Sequence, residues 1–187
     1  MKFATDFDGV ILDFKTMLIK GIKKRTNVNV SKYMKGVMVH HPNIDEQTIR
    51  KLVKEILLED TLSAKPIKAT IKTLEKIYKL YNKPIIIVTN RSEDLHKVTE
   101  EWLNQNVSNK FKWEIRYGSG KIYDSKVEYL KDANWYLDDI LEQLVSVCSL
   151  PNIRRCFWYN QDVYDMSNVD KKIIKVSDIN RVYDIIR

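Results

Sequence analysis

The chain has 187 residues, a net charge of +7 and 44% hydrophobic residues, which fits one globular domain that buries a full core and carries a small insertion. No apolar run approaches the ~20 residues that span a bilayer. Asp6 and Asp8 interrupt the stretch where a secretory h-region would lie, so neither a membrane segment nor a signal is expected. The positive balance favours anionic partners: phosphorylated metabolites, nucleotides or nucleic acid. Lysines are nevertheless spread along polar helix faces. The densest group, Lys20, Lys23, Lys24 and Arg25, lacks the interleaved aromatics of a single-strand platform and reads as a basic surface or site rim.

An apolar run over residues 2–6 predicts the first strand, and the spacing of Ile11, Leu12, Met17, Leu18 and Ile22 predicts a helix after it. His40-His41-Pro42 reads as a loop rather than a metal-ligand set. A second helix is expected over 43–59, capped by Asn43 with Glu46 three residues on, with Ile49, Leu52, Val53, Ile56 and Leu57 as its apolar stripe. A third is expected from Pro66, with Ile67, Ile71, Leu74, Ile77 and Tyr78 inward. Pro84-Ile85-Ile86-Ile87-Val88 is a continuous apolar run, which suits a parallel strand covered on both faces. Ser92 is expected to cap the next helix, with Glu93 and Asp94 in its first turn and Leu95, Val98 and Trp102 inward. A strand over 113–117, a Gly118-Ser119-Gly120 loop and a short helix at about 125–132 follow. Trp135-Tyr136-Leu137 predicts a strand ending at Asp138-Asp139, and Ile140, Leu141, Leu144, Val145 and Cys148 a helix. Strands over 153–159 and 172–176 precede a last helix, capped by Ser177 and carrying Ile179, Val182, Tyr183 and Ile186.

Strand and helix alternate from residue 63 onward. This argues an α/β fold: a Rossmann-like, mainly parallel sheet flanked by helices. Residues 14–62 break the alternation and look helical. They are expected to form a small helical cap inserted after strand one, over a core made of 1–13 and 63–187. Cys148 and Cys156 fall in a helical and a strand pattern, as buried free thiols of a reducing compartment would, and a cytoplasmic location is expected. There is no repeat and no low-complexity segment.

The chemistry begins at Asp6-Phe7-Asp8-Gly9. Asp6 and Asp8 are one residue apart and point the same way from a strand. Gly9 lets the backbone turn tightly beside them. Two like charges this close need a cation or a shared proton. In open parallel sheets, ligands bind beyond the C-terminal strand ends. Two more predicted strands end there in polar residues, Thr89-Asn90-Arg91 and Asp138-Asp139, with Asp124-Ser125-Lys126 between them in sequence. The set supplies carboxylates for a divalent cation, a hydroxyl and an amide for phosphate oxygens, and a lysine for charge. Lys121 is a rival lysine, but Gly118-Ser119-Gly120-Lys121 is not a phosphate-binding P-loop, lacking both the earlier Gly and a following Ser or Thr. Arg91 is placed either on a substrate phosphate or against Glu93.

With DFDGV, IIIVTN, Lys126 and YLDDI in that order, the chain resembles the haloacid dehalogenase-like superfamily. VTNRSE, TEEWL and LDDI look most similar to its deoxyribonucleotidase-like branch. The resemblance implies a magnesium-dependent phosphatase in which the Asp6 carboxylate attacks phosphorus to form an aspartyl-phosphate. Asp8 then serves as general acid and base. Mg2+ would be held by Asp6, the Asp8 main-chain carbonyl and the acidic pair, with Asp139 the ligand and Asp138 supporting it. Thr89, Asn90 and the amides near Gly9 would hold phosphate oxygens, and Lys126 would offset their charge. The implied partner is a small phosphorylated substrate, a nucleoside monophosphate above others. A polynucleotide 3′-end phosphatase is the alternative enzyme; the basic charge allows it, while an ordered cap over Asp6 argues against it and against nucleic acid as partner. A non-catalytic binding module that keeps the fold is the alternative from another class, against which intact Asp6, Asp8, Thr89 and Asp139 speak. Dehalogenation fits the acidic pair less well.

Overall fold

In the computed structural model, residues 1–35, 38–121, 124–160 and 166–187 are described. In chain order the elements are β1 (Phe3–Asp6), α1 (Phe14–Thr26), β2 (Met34–Lys35), β3 (Met38–Val39), α2 (Glu46–Glu59), α3 (Lys68–Tyr81), β4 (Ile85–Thr89) and α4 (His96–Asn106). They continue with β5 (Trp113–Tyr117), β6 (Trp135–Asp138), α5 (Leu141–Cys148), β7 (Arg155–Tyr159), β8 (Ile173–Val176) and α6 (Asn180–Ile186).

Six strands form one sheet in the order β5-β4-β1-β6-β7-β8, and every neighbouring pair is parallel. Every residue of β1, β4 and β6 is buried, as expected of strands covered on both faces. Their side chains alternate between two cores. Phe3, Ile85, Ile87, Trp135 and Leu137 enter the core that also holds Leu74 of α3, Trp102 of α4 and Val182 of α6. Ala4, Ile86, Val88 and Tyr136 face Leu144, Val147 and Cys148 of α5. The result is three layers, with helices on both sides of a parallel sheet.

Residues 14–62 leave and rejoin the sheet domain side by side. Asp13 N–H donates to the Lys65 carbonyl at 2.9 Å and Ile67 N–H to the Ile11 carbonyl at 2.7 Å. Between these ties α1 and α2 pack together. Phe14, Met17, Leu18 and Ile22 share the core of Phe7 with Ile49 and Ile56. Arg25 holds Glu59 at 2.6 Å and Asp60 at 2.7 Å. The segment is not wholly helical, because β2 and β3 pair antiparallel as a separate two-stranded ladder.

Several local expectations need correction. Ile11 and Leu12 are not helical: their N–H groups both donate to the Phe7 carbonyl, and Gly9 N–H to the Leu12 carbonyl, so the chain makes a tight loop and α1 starts at Phe14. Asp13 caps α1 by accepting from Thr16 N–H. Asp45, not Asn43, caps α2 by accepting from Thr48 N–H. The hydroxyl of Ser92 bonds to Asp94 rather than to the backbone. Residues 125–132 contain only a 3-10 turn at Val127–Tyr129. Before α6, Asp178 rather than Ser177 accepts the Asn180 N–H. Pro66 lies in a bridge to Leu12, ahead of α3. No helix among the described residues is long and apolar enough to cross a membrane.

Candidate active site

The strand order reverses direction between β1 and β6. After β1 the chain adds β4 and β5 on one side, then β6, β7 and β8 on the other. A crevice at the carboxyl ends of the strands is where such a sheet binds ligands. Asp6 ends β1 and Asp138 ends β6 on its two sides, and Thr89 ends β4 next to β1.

Asp6, Asp138 and Asp139 each present a carboxylate oxygen within 4.8 Å of the others. Lys126, 3% exposed, reaches this cluster and donates to Asp6 Oδ1 at 2.6 Å and to Asp138 Oδ2 at 2.9 Å. Asp138 is fully engaged. Its Oδ2 also accepts from the Tyr136 hydroxyl, and its Oδ1 from Ile140 N–H at 2.8 Å. Asp139 is different: its buried Oδ1 has no hydrogen-bond partner, while its backbone carbonyl accepts from Trp158 Nε1 at 3.0 Å.

Burial dominates the electrostatics here. It pushes the Asp6 carboxyl up to about 7, with the charges of Asp138 and Asp8 adding to the rise and Lys126 opposing it. Burial, then Asp138 and Asp6, push Asp139 well above the usual carboxylate range. For Lys126 burial works against the charge, but Asp138 and Asp6 outweigh it and hold the ammonium above the usual lysine value. Asp6 and Asp138 are buried and Asp139 half-buried, and one ammonium does not offset all three as carboxylates, so Asp6 and Asp139 hold their protons above the usual range. That unmet demand for positive charge, together with the orphaned Asp139 oxygen, fits an oxygen-seeking divalent cation such as Mg2+.

Gly9 is required beside this cluster. Its φ is +79°, and a Cβ there would lie 2.2 Å from Asp139 Oδ2. The loop from Phe7 to Leu12 can therefore press its backbone against the acidic pair only with glycine at this position. Thr89 is 1% exposed, and its Oγ1 accepts the Arg91 N–H at 3.3 Å. Asn90 donates to the Asp124 carbonyl at 2.8 Å, as does Gln143 at 3.1 Å.

Arg91 does not pair with Glu93. The guanidinium instead grips Asp8, Nε to Oδ2 at 2.9 Å and Nη2 to Oδ1 at 2.8 Å, and its other nitrogen reaches Thr61 and Thr99. Lys121 is exposed, and it is Lys126 that meets the carboxylates. Lys20 and Lys24 line a surface cavity of about 210 Å³ with Asp13, Thr16 and Lys65. Arg25, the fourth member of that basic group, is tied to Glu59 and Asp60. Sequence reasoning did not identify Tyr136, Thr61 or Thr99 as site partners. Each reads as an ordinary strand or helix residue until the fold brings it to Asp138 or Arg91.

No protein-family model and no curated protein matches the sequence. Solved structures do match. A predicted phosphoglycolate phosphatase from Haemophilus somnus is 14% identical, with 100% of this chain and 97% of that one aligned at a TM-score of 0.66. A haloacid dehalogenase-like family hydrolase from Xanthomonas campestris is 11% identical, covering 100% and 94%, at 0.63. CbbY from Rhodobacter sphaeroides, in complex with phosphate, is 10% identical, covering 97% and 95%, at 0.57. The chain thus has the Rossmann-like α/β fold of the haloacid dehalogenase-like hydrolases.

Proposed function

We propose that the protein is a magnesium-dependent phosphatase of small phosphomonoesters. The observation that carries this reading is the buried cluster of Asp6, Asp138 and Asp139 with Lys126 at the switch point of the sheet. Asp6, Asp139 and the Asp8 main-chain carbonyl would hold Mg2+. The free oxygen of Asp139 favours it over Asp138, whose oxygens are already engaged. Bound there, the ion would neutralise charge on the phosphoryl oxygens and keep Asp6 ionised.

Asp6 supplies the nucleophile. One carboxylate oxygen forms a bond to phosphorus while the ester P–O bond breaks, giving an aspartyl-phosphate and the alcohol. Asp8, which must take up a proton before the first step while Arg91 holds its two oxygens, gives that proton to the departing oxygen and then takes one from the water that cleaves the acyl phosphate, which regenerates Asp6 and releases inorganic phosphate. Lys126 fixes the Asp6 carboxylate and opposes the charge that gathers on the phosphoryl group. Thr89 and Asn90 stand at the end of β4 to take phosphate oxygens.

The substrate class within this reading is a nucleoside monophosphate, from the resemblance of VTNRSE, TEEWL and LDDI to the deoxyribonucleotidase-like branch. The 14–62 segment is read as the cap that shapes the pocket. The printed names of the structural neighbours point to other small phosphates, phosphoglycolate among them. The deciding experiment is therefore a phosphate-release screen with Mg2+ over nucleotides, sugar phosphates, phosphoglycolate and a 3′-phosphorylated oligonucleotide. Turnover of a nucleoside monophosphate, lost in EDTA and in Asp6→Asn, is the expected result. Turnover that persists in EDTA or in Asp6→Asn overturns the mechanism, and preference for the oligonucleotide overturns the substrate class.

A further inference from the structure

We infer that Arg91 is the positioning residue of the Asp8 carboxylate, and that through Thr61 it ties the aim of Asp8 to the seating of the 14–62 segment. This rests on the reading of Asp8 as general acid and base.

The Arg91 side chain is 2% exposed, whereas that of Asp8 is 19% exposed. The cation is sealed inside and the carboxylate is the member of the pair that reaches out. Two parallel N–H groups grip the two carboxylate oxygens at 2.9 and 2.8 Å. Such a fork sets both the direction and the plane of a carboxylate, which a point charge does not. The fork is itself fixed. Nη1 donates to Thr61 Oγ1 at 3.2 Å and to Thr99 Oγ1 at 3.1 Å, and the guanidinium lies over the Phe7 ring at 4.7 Å. Each threonine hydroxyl spends its own proton on a backbone carbonyl, Thr61 on Leu57 at 2.6 Å and Thr99 on Leu95 at 2.7 Å. Their lone pairs are therefore turned toward Arg91. Four of the five guanidinium N–H groups have protein acceptors by this arrangement, so Arg91 is committed to holding Asp8 and not to gripping a substrate phosphate.

Leu57 lies in α2 and Thr61 in the turn that leads back from it. Leu95 opens the way into α4, beyond β4. The chain Leu57–Thr61–Arg91–Asp8 therefore joins the inserted segment to the proton-transfer group. General acid catalysis requires one Asp8 oxygen within hydrogen-bond reach of the leaving oxygen. A misplacement of about 1 Å is worth up to ~100-fold in rate.

The test uses the full chain with Mg2+ and compares the wild type with Arg91→Lys, Thr61→Val and Asp8→Asn. One substrate is p-nitrophenyl phosphate, whose leaving group needs little protonation; the other is the alkyl phosphomonoester turned over fastest. Because hydrolysis of the aspartyl-phosphate needs Asp8 as base whichever ester formed it, the first step is read alone as single-turnover release of the alcohol: Arg91→Lys should slow it about 10- to 100-fold on the alkyl ester and less than about 3-fold on the aryl ester. Thr61→Val should show the same bias with a smaller loss. Arg91→Lys added to Asp8→Asn should cause no further loss on the alkyl ester. Guanidinium at millimolar concentration should restore part of the alkyl-ester rate to Arg91→Ala. Equal first-step losses on both esters, or a double variant slower in that step than Asp8→Asn alone, overturn the inference.

A crystal structure of Arg91→Lys gives a readout that needs no activity. The Asp8 side chain should leave its present rotamer, and an unmoved Asp8 overturns the inference. If the wild type releases no phosphate from any ester, the phosphatase reading fails, and the orientation of Asp8 in that crystal structure still decides the positioning role.

Discussion

At the scale of single residues, the burial of Asp6, the proposed nucleophile, bears on stability. Burial pushes its carboxyl up to about 7 from an ordinary 3.8, so between those pH values the folded chain binds more protons than the unfolded chain. Stability must then fall as pH rises through this window, with the penalty complete above about pH 7. Asp6→Asn removes that charge and leaves Lys126 paired with Asp138. In EDTA at pH 8 the variant should be more stable than the wild type by roughly 1–3 kcal/mol, and the difference should vanish below pH 4. Urea melts of both proteins at the two pH values check this. The Asp6 and Asp8 pair was visible in the sequence because both lie in one short motif. The Arg91 fork was not, since Arg91 and Asp8 stand 83 residues apart and only the pairing of β4 with β1 brings them together.

At the scale of elements, Gly21 of α1 packs closely against Ile56 of α2. A Cβ at Gly21 would lie 2.7 Å from Ile56 Cγ1 and under 3 Å from two more atoms of that fully buried side chain. Gly21→Ala gains helix propensity but forces the two helices apart. Overpacking of this kind costs about 1–3 kcal/mol. The melting temperature should fall, and the Ile56→Val background should recover part of the loss by making room. Failure of Ile56→Val to recover any stability would show that α1 and α2 shift freely. Element identity was legible wherever a long period or a fully apolar run existed, as in α2, α3 and β4. It failed where apolar spacing is shared by two structures. Ile11 and Leu12 have helical spacing but serve a loop closed by Gly9 and the Phe7 carbonyl. The β2–β3 ladder is too short to leave a period. Asp13 and Asp45 cap their helices by side-chain bonds, and with several Asp and Asn residues near each helix start, the sequence alone does not choose among them.

At the scale of the whole molecule, the proposed cation site would make folding and cation binding one equilibrium. An ion held only by the folded chain stabilises it by RT ln(1 + [L]/Kd), about 2.7 kcal/mol at a hundredfold excess over Kd. Millimolar Mg2+ should raise the melting temperature by several degrees at pH 8. The gain should be largely lost in Asp139→Asn, whose oxygen is the unpaired one. An equal gain in wild type and Asp139→Asn would remove Asp139 from the ligand set. The overall architecture was legible because β1, β4 and β6 are continuous apolar runs, and the polar residues that end them are those the sheet gathers at the candidate site. The strand order was not legible, since a parallel sheet places neighbours by crossovers that leave no mark on any one run.

That strand order also governs how the chain can mature. β1 is central, yet both of its neighbours, β4 at Ile85 and β6 at Trp135, follow it far along the chain, and Lys126 meets Asp6 across 120 residues. A nascent chain therefore carries β1 unpaired until β4 has emerged from the ribosome, and with its other edge open until β6 has. Loop closures this long are slow and leave sticky intermediates exposed. Ribosome-bound chains stalled before Ile85 should be protease-sensitive throughout β1, and those stalled between β4 and Trp135 should keep an open β1 edge prone to capture by chaperones. Protection of β1 should rise when β4 emerges and become complete only after β6, the point at which the ability to bind Mg2+ should first appear.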